Sequence, residues 1–280
     1  DLAERIQVGL LNVLEERDVQ IRGHKIRLPL DVFLVATANP EDYTNRGRII
    51  TPLKDRYGSQ VRTHYPESIS QEIEIMEQEA ETFDMNELRV NVPDYMKEIV
   101  AEVTHQARKS PDINQRSGVS VRASIANYEA LVANAFRRSL RLSETEIAPR
   151  ISDLPFIIPS LQGKVEFEAM EEGQEDQITQ HIIDKAVKAV FDRQMDVAEL
   201  ETVALAFDDE LSVEIGEGSP AAEYVTILEE VNGLSAAVAE LTGETGSIQA
   251  AAAVEFILEG LHLHERLNKH SINGRAAFTG

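Results

Sequence analysis

Asn39 is the first side chain whose type and position could take part in chemistry. It follows Val32–Ala36, an unbroken apolar run rich in branched residues, which predicts a strand buried on both faces of a parallel sheet. Ligands of open α/β sheets bind at the carboxyl ends of such strands. An amide there can hydrogen-bond both an oxygen of a terminal phosphate and an attacking water. The alternative interpretation of Asn39 is a turn-forming residue before Pro40.

These 280 residues contain no GxxxxGK[ST] motif. They therefore lack the glycine-rich loop whose backbone amides bind the phosphates of a nucleotide. They also contain no cysteine, which excludes disulfides, thiolate catalysis and cysteine-based zinc sites. His262 and His264 are two positions apart on a predicted helix and point in different directions. We therefore expect no metal site there.

The elements that must position Asn39 follow from periodicity and from helix breakers. Residues 2–17 predict an amphipathic helix, and the alternating run Val19–Leu28 around Gly23 predicts a β-hairpin. Further helices are predicted between Pro52 and Gly58, over 67–81 behind a serine cap, from Pro93 to about Arg108 and from Ser120 to about Leu140. Residues 149–173, interrupted by proline and glycine, predict a linker, and the chain after 174 is predicted to be helical throughout.

Two stretches of this sequence resemble a known family. The run VFLVATANPEDYTNRGRIITPLKDRYG, residues 32–58, is similar to the sensor-1 strand and following helix of magnesium chelatase subunit I and its MoxR-like relatives, which are AAA+ ATPases. The hairpin Val19–Leu28 resembles the insertion that precedes sensor 1 in this branch, and SGVSVRAS at 117–124 resembles the sensor-2 motif. The resemblance covers residues 1 to about 165.

Carried over to this chain, the resemblance implies that Asn39 is sensor 1, Arg56 the arginine finger and Arg122 sensor 2, which contacts the γ-phosphate from a lid. Arg48 and Arg46, in the preceding loop, are alternative fingers ranked after Arg56. The residues by themselves leave other interpretations open. Arg56 could form a surface ion pair with its neighbour Asp55, and Arg122 could be an ordinary first-turn residue.

The resemblance also implies a function: an ATP-hydrolysing motor or switch that remodels a partner or drives metal insertion. ATP and Mg²⁺ would be bound mainly by a part of the protein upstream of Asp1, so we expect the intact protein to be an ATPase and this portion to be inactive alone. The expected assembly is a homo-oligomeric ring, a hexamer, with a partner protein that bears an integrin-I-type metal-binding domain. We expect a cytoplasmic protein that binds neither nucleic acid nor membrane.

The net charge of -22 is spread unevenly along the chain. Residues 151–280 carry 25 acidic and 7 basic side chains, which argues against binding DNA or an anionic membrane through this part. The acidic surface is either solvated or a docking face for a basic partner. The second possibility defines an alternative function, a non-catalytic acidic helical adaptor.

The fold expected from these features is predominantly α overall. A truncated α/β core of the AAA+ type, with the hairpin, is assigned to 1–66 and a helical lid with sensor 2 to 67–148. The linker is 149–173, and an acidic helical C-terminal domain is 174–280.

Overall fold

The computed structural model describes residues 2–16, 18–27, 33–38, 49–81, 89–168, 173–207, 211–243, 248–272 and 275–280. The chain divides into two compact units, Asp1–His64 and Tyr65–Gly280. It is predominantly helical, as predicted. None of the helices within the described ranges combines the length and the apolar character needed to cross a bilayer.

The first unit contains the predicted N-terminal helix and hairpin. Helix α1 (Glu4–Glu15) is followed by strands β1 (Asp18–Ile21) and β2 (His24–Arg27), which pair antiparallel. The two-residue turn has positive φ at both Arg22 and Gly23, 52° and 84°, because only such a turn matches the twist of the flanking strands. Helix α2 (Thr51–Lys54), with a proline in its first turn, packs against α1.

Little apolar surface is covered within the first unit. Leu53 is its buried apolar side chain among the residues described, and it is 2% exposed. A polar contact helps to join the two helices, because the Gln7 amide accepts from the backbone of Ile50 at 2.9 Å and donates to the Leu2 carbonyl at 2.8 Å. Ile6 and Val8, in contrast, are about half exposed at 49% and 54%. The described residues of this unit therefore form no closed hydrophobic core.

The predicted buried strand Val32–Ala36 is not observed. Residues 33–38 form no strand, and Phe33 and Val35 are 93% and 74% exposed. A strand buried on both faces needs hydrogen-bonded neighbours and covering helices. In the described part of this unit β1 and β2 pair only with each other, so the segment has no sheet to join. The expected α/β core is therefore not established by this structure.

The second unit is a helical body with short strands. Its helices are α3 (Ile69–Glu79), α4 (Asp94–Lys109), α5 (Arg122–Leu142), α6 (Ile158–Gln162), α7 (Glu175–Gln194), α8 (Glu201–Leu205), α9 (Ala221–Glu230), α10 (Leu234–Thr242) and α11 (Ile248–Leu263). A 3₁₀ helix, Ile151–Ile157, precedes α6. The parallel strands β3 (Arg89–Val90) and β4 (Glu146–Ile147) pair over two residues. The predicted lid and the predicted C-terminal domain lie within this one unit.

Local sequence explains where several of these helices begin. Ser68 caps α3, because its hydroxyl accepts a hydrogen bond from the backbone amide of Gln71 at 3.2 Å. This confirms the predicted serine cap. Pro93 precedes α4, where a proline costs no hydrogen bond. Gly243, at φ 74°, ends α10 in the left-handed conformation that glycine adopts without strain.

The segment predicted as a linker packs into the core instead. Ile151, Leu154, Ile157 and Leu161 are all buried, and they recur at the spacing of one helical face. Pro155 and Pro159 suggested a boundary in the sequence. In the structure Pro159 occupies the first turn of α6, where it is tolerated.

The C-terminal region is also not wholly helical. Strands β5 (Val213–Ile215), β6 (Asn268–Ile272) and β7 (Arg275–Thr279) form an antiparallel sheet in the order β5-β7-β6. The strands are short, and the apolar side chains of β7 do not alternate, because Ala277 and Phe278 are adjacent and both buried. Period-two patterning therefore gave no signal for this sheet.

A buried ionic network joins α5 to the 3₁₀ helix. Asp153, with no exposed side-chain surface, accepts from Arg138 at 3.1 and 3.2 Å and from Asn134 at 2.7 Å. Arg138 also pairs with Glu144 at 3.2 Å, and so does Arg150. Burying these charges is tolerable only because each has opposite charges and hydrogen bonds around it.

A second buried carboxylate, Glu255, lies in the middle of helix α11. It accepts from the backbone and hydroxyl of Ser152 at 2.7 and 3.1 Å and from the Tyr224 hydroxyl. Tyr95 stacks on the ring of Phe256 at 4.6 Å, and its hydroxyl has no hydrogen-bond partner among the residues described. Burial and the charge of Glu255 raise the pKa of the Tyr95 phenol well above its usual value.

The close packing of α7 on α11 gives a first prediction. A Cβ built on Gly260 would lie 2.0 Å from Cδ2 of the buried Phe191 ring, so Gly260→Ala should lower the free energy of unfolding by about 1–3 kcal/mol. Urea denaturation measures this. Gly9→Ala is the matched control, because Gly9 is also helical but has open space around it. An unchanged midpoint for Gly260→Ala would contradict this packing.

The buried phenols predict a pH dependence. The buried phenol of Tyr95 has a raised pKa and stays neutral when phenols of the unfolded chain, with a pKa of about 10, become ionised, so the free energy of unfolding falls as pH rises above that value. Tyr95→Phe should therefore reduce the loss of stability at alkaline pH. At neutral pH the same substitution should raise the free energy of unfolding by about 1 kcal/mol, because it removes an unpaired buried hydroxyl.

Tyr224→Phe is the control for Tyr95→Phe, since it removes a hydroxyl that donates to Glu255 and should lower stability at neutral pH. Urea midpoints at neutral and alkaline pH are the measurement. Shifts of the same sign for both variants at neutral pH would contradict the assignment of Tyr95 as the unpaired hydroxyl.

Candidate functional site

Three of the five candidate site residues, Asn39, Arg46 and Arg48, lie outside the described residues. The described chain on either side of them lines a groove of about 870 Å³ in the first unit, with Phe33, Tyr57 and Val61 among its walls. Phe33 and Val61 are 93% and 87% exposed. These apolar side chains are therefore open to solvent in the described part of the first unit.

Arg56 follows α2 and is held against α1. Its Nε donates to the carboxylate of Glu15 at 2.8 Å, its Nη2 donates to the same carboxylate, and its Nη1 donates to the Pro52 carbonyl at 2.7 Å. The ion pair considered from the sequence is thus formed with Glu15 and not with the neighbour Asp55. The guanidinium keeps 29% of its side-chain surface exposed. Its role as a finger stays a prediction.

Arg122 is the first residue of α5 and its side chain is exposed. It forms no ion pair with any residue in the described part of the chain. The first turn of α5 contains no acidic side chain of its own, but the carboxylate of Glu72 on α3 accepts from the hydroxyl of Ser124 in that turn. The exposed guanidinium of Arg122 presents donors that match the oxygens of an anion.

The loop before α5 is tied to the chain that follows α6. The backbone amide of Asn114 donates to the Glu166 carbonyl at 2.8 Å, and that of Glu168 donates to the Asp112 carbonyl at 2.9 Å. The Ser117 hydroxyl donates to the Glu166 side chain. The stretch VEFE, residues 165–168, therefore holds one side of the loop that leads to Arg122.

The loop before α5 also contacts a buried ion pair that was not predicted from the sequence. Glu72 and Arg108 form two parallel hydrogen bonds of 2.6 and 2.8 Å, with side-chain exposures of 1% and 9%. Glu72 lies in the helix predicted over 67–81, and no partner was predicted for it. A signal was present, however, because Glu72 and Met76 lie on one face of α3 and both are buried.

The histidines near the C-terminus have structural contacts. His264 contacts Asp192 at 2.7 Å and the Gly260 carbonyl at 2.8 Å, and His262 contacts the Leu267 carbonyl at 3.0 Å. Among the residues described, no three histidine, aspartate or glutamate side chains converge as metal ligands would.

A cavity of about 510 Å³ lies in the second unit between α11 and the sheet β5-β7-β6. Its buried carboxylate Glu259 is paired with Lys269 at 2.6 and 2.8 Å. Glu217, at the rim, is paired with Arg137 and Arg141 at 2.9 and 2.7 Å. The charged groups of this cavity largely neutralise one another, so Arg56 in the first unit and Arg122 in the second unit remain the candidate residues, each considered separately.

Comparisons with known proteins give little further information. No family model matches the chain, and no solved structure matches it. The uncharacterized protein YeaC of Bacillus subtilis (strain 168) is 27% identical over 148 residues, which cover 47% of this chain. The chain matches less than half of that relative, 45% of its length.

Proposed function

We propose that this chain is part of an AAA+ ATPase of the magnesium chelatase and MoxR type. The observation that carries the proposal is the position of Arg122, an exposed guanidinium at the start of a helix, with no ion pair in the described chain. Arg122 also lies within the sequence SGVSVRAS that resembles a sensor-2 motif. A guanidinium stays charged and matches the geometry of phosphate oxygens, which suits it to sensing a γ-phosphate.

The exposed apolar surface of the first unit supports the same proposal. Phe33, Val35 and Val61 would be covered in the intact protein by the remainder of an α/β core, where the segment 32–36 would find neighbouring strands. Asn39 would then stand at the carboxyl edge of that sheet.

ATP and Mg²⁺ fit the residues present only in part. Arg122 and, from a neighbouring subunit, Arg56 would neutralise charge on the terminal phosphate, and Asn39 would orient a water. The sequence has no phosphate loop, so other parts of the intact protein would hold the nucleotide and its metal ion, and this chain alone would not hydrolyse ATP. Bound MgATP would supply the phosphoryl group and the charge that these side chains recognise.

A finger that acts on a neighbour's nucleotide requires a ring, because a head-to-tail contact closes into cyclic symmetry. The proposal therefore includes a homo-oligomeric ring, a hexamer, in the cytoplasm. Its partner would be a protein with an integrin-I-type metal-binding domain that is remodelled or loaded with metal. The net charge of -22 argues against nucleic acid or an anionic membrane as the partner.

The proposal predicts the effect of Arg56→Ala on the ATPase activity of the intact protein. Loss of a finger should lower the rate by about 10³-fold or more, because the charge that develops on the phosphate is no longer neutralised. Glu15→Gln is the matched control, since it breaks the same ion pair but leaves the guanidinium in place. If the assembled Arg56→Ala protein keeps an ATPase activity within twofold of wild type, Arg56 is not the arginine finger. Arg48→Ala and Arg46→Ala would then be measured in the same assay.

Mixing variants tests whether Arg56 acts between subunits. A subunit with Arg56→Ala keeps its own Arg122, and a subunit with Arg122→Ala keeps its own Arg56. Random mixed rings should therefore regain wild-type turnover at about a quarter of their sites, whereas rings of either variant alone have no site with both arginines. No recovery in mixed assemblies would argue against a finger supplied by the neighbour.

The uneven charge favours a second candidate function, an acidic adaptor for a basic partner. Residues 151–280 carry 25 acidic against 7 basic side chains. An adaptor should bind a lysine-rich peptide with an affinity that falls about tenfold or more when salt is raised, while a neutral peptide of equal length does not bind. Isothermal calorimetry measures both. Binding that does not depend on salt would exclude this function.

A further inference from the structure

We propose that Tyr65 and Arg108 are positioning residues that hold the turn Gly118–Val119 and thereby set the direction in which Arg122 projects. The inference rests on the proposed nucleotide-sensing role of Arg122. Neither Tyr65 nor Arg108 was a candidate site residue from the sequence.

Both backbone polar groups of Val119 are bound by these residues. The carbonyl of Val119 accepts from Nε of Arg108 at 2.9 Å, and its amide donates to the Tyr65 hydroxyl at 3.1 Å. Val119 itself has no exposed surface. A turn fixed at its carbonyl and at its amide, three residues before Arg122, has little freedom to change the start of α5.

Arg108 is itself fixed before it reaches the turn. Its guanidinium forms the bidentate pair with Glu72, and it lies over the ring of Tyr65 at 4.3 Å from the ring centre. Glu72 also accepts from the hydroxyl of Ser124 at 2.5 Å. Ser124 is in the first turn of α5. These hydrogen bonds therefore hold the chain both before Arg122, at Val119, and after it, at Ser124.

Gly118 allows this close approach. It has φ 68°, and a Cβ at this position would lie 2.4 Å from the Tyr65 hydroxyl. Any other residue would both strain the backbone and displace the hydroxyl. The glycine of SGVSVRAS is therefore explained by its contact with Tyr65.

Tyr65 is the first residue of the second unit. Its hydroxyl joins the chain that enters this unit to the turn that leads into α5. A change in the path of the entering chain would thus act on the turn and on Arg122, which is the coupling that a nucleotide sensor on a lid requires.

The test measures steady-state ATPase kinetics of the intact protein with MgATP for Tyr65→Phe, Arg108→Lys, Arg122→Ala and the double variant Tyr65→Phe/Arg122→Ala. Tyr65→Phe removes one hydrogen bond and keeps the ring under Arg108. Arg108→Lys keeps the charge beside Glu72 and loses the donor to Val119. Each should raise KM for ATP about three- to tenfold with a smaller change in kcat, as expected for one lost hydrogen bond to a positioned group.

The double variant separates positioning from general stability. If Tyr65 acts through Arg122, the double variant should have the KM of Arg122→Ala alone. Tyr128→Phe, which removes a half-buried hydroxyl further along α5, is the matched control and should stay within twofold of wild type. Additive losses in the double variant would overturn the inference.

Two further outcomes distinguish this inference from the proposed function. If Arg122→Ala raises KM but Tyr65→Phe and Arg108→Lys do not, Arg122 senses nucleotide without the help of this turn, and the positioning role is wrong. If Arg122→Ala itself changes nothing, the sensor assignment fails, and the positioning role fails with it.

Discussion

Asp153 is a fully buried carboxylate that accepts hydrogen bonds from Asn134, Arg138 and the backbone amide of Arg150. An ion in this position would cost several kcal/mol if any partner were missing, so its neighbours are placed by electrostatics as much as by packing. Arg150 extends the same network to the Ser219 carbonyl at 2.8 Å, just before α9. One buried charge thereby links α5, the 3₁₀ helix and the C-terminal helices.

The consequence for the candidate site lies along α5. The C-terminal half of this helix is fixed by Arg138 inside the buried network, and its N-terminal end bears Arg122 in solvent. A helix anchored at one end and held at the other by the Glu72–Arg108 pair has little freedom to tilt. Preorganisation of this kind is what electrostatic recognition of a phosphate needs, because no reorganisation then opposes binding.

The starts of several helices could be predicted from neighbouring residues. Features that depend on residues far away in the sequence could not. Ser68 and Pro93 marked the starts of α3 and α4 correctly, because caps and prolines act within one turn of the chain. The apolar pattern of residues 32–36 predicted burial, but a strand also needs neighbours that the described first unit does not supply. The ion pair of Glu72 was not predicted, because its partner Arg108 is 36 residues away in the sequence. For the candidate site, the sequence predicted a helix that begins at Ser120 with Arg122 in its first turn, and only the structure revealed what holds the preceding turn.

The packing of α4 along α7 has a mechanical consequence. Arg193 on α7 pairs with Glu102 on α4 at 3.2 Å, Gln194 donates to Glu98 at 2.9 Å, and Tyr95 stacks on Phe256 of α11. The helices around Arg122 and the acidic C-terminal helices therefore share one core and must rotate as one body. A ligand that shifted α4 would therefore also displace α7 and α11, because these helices pack against one another.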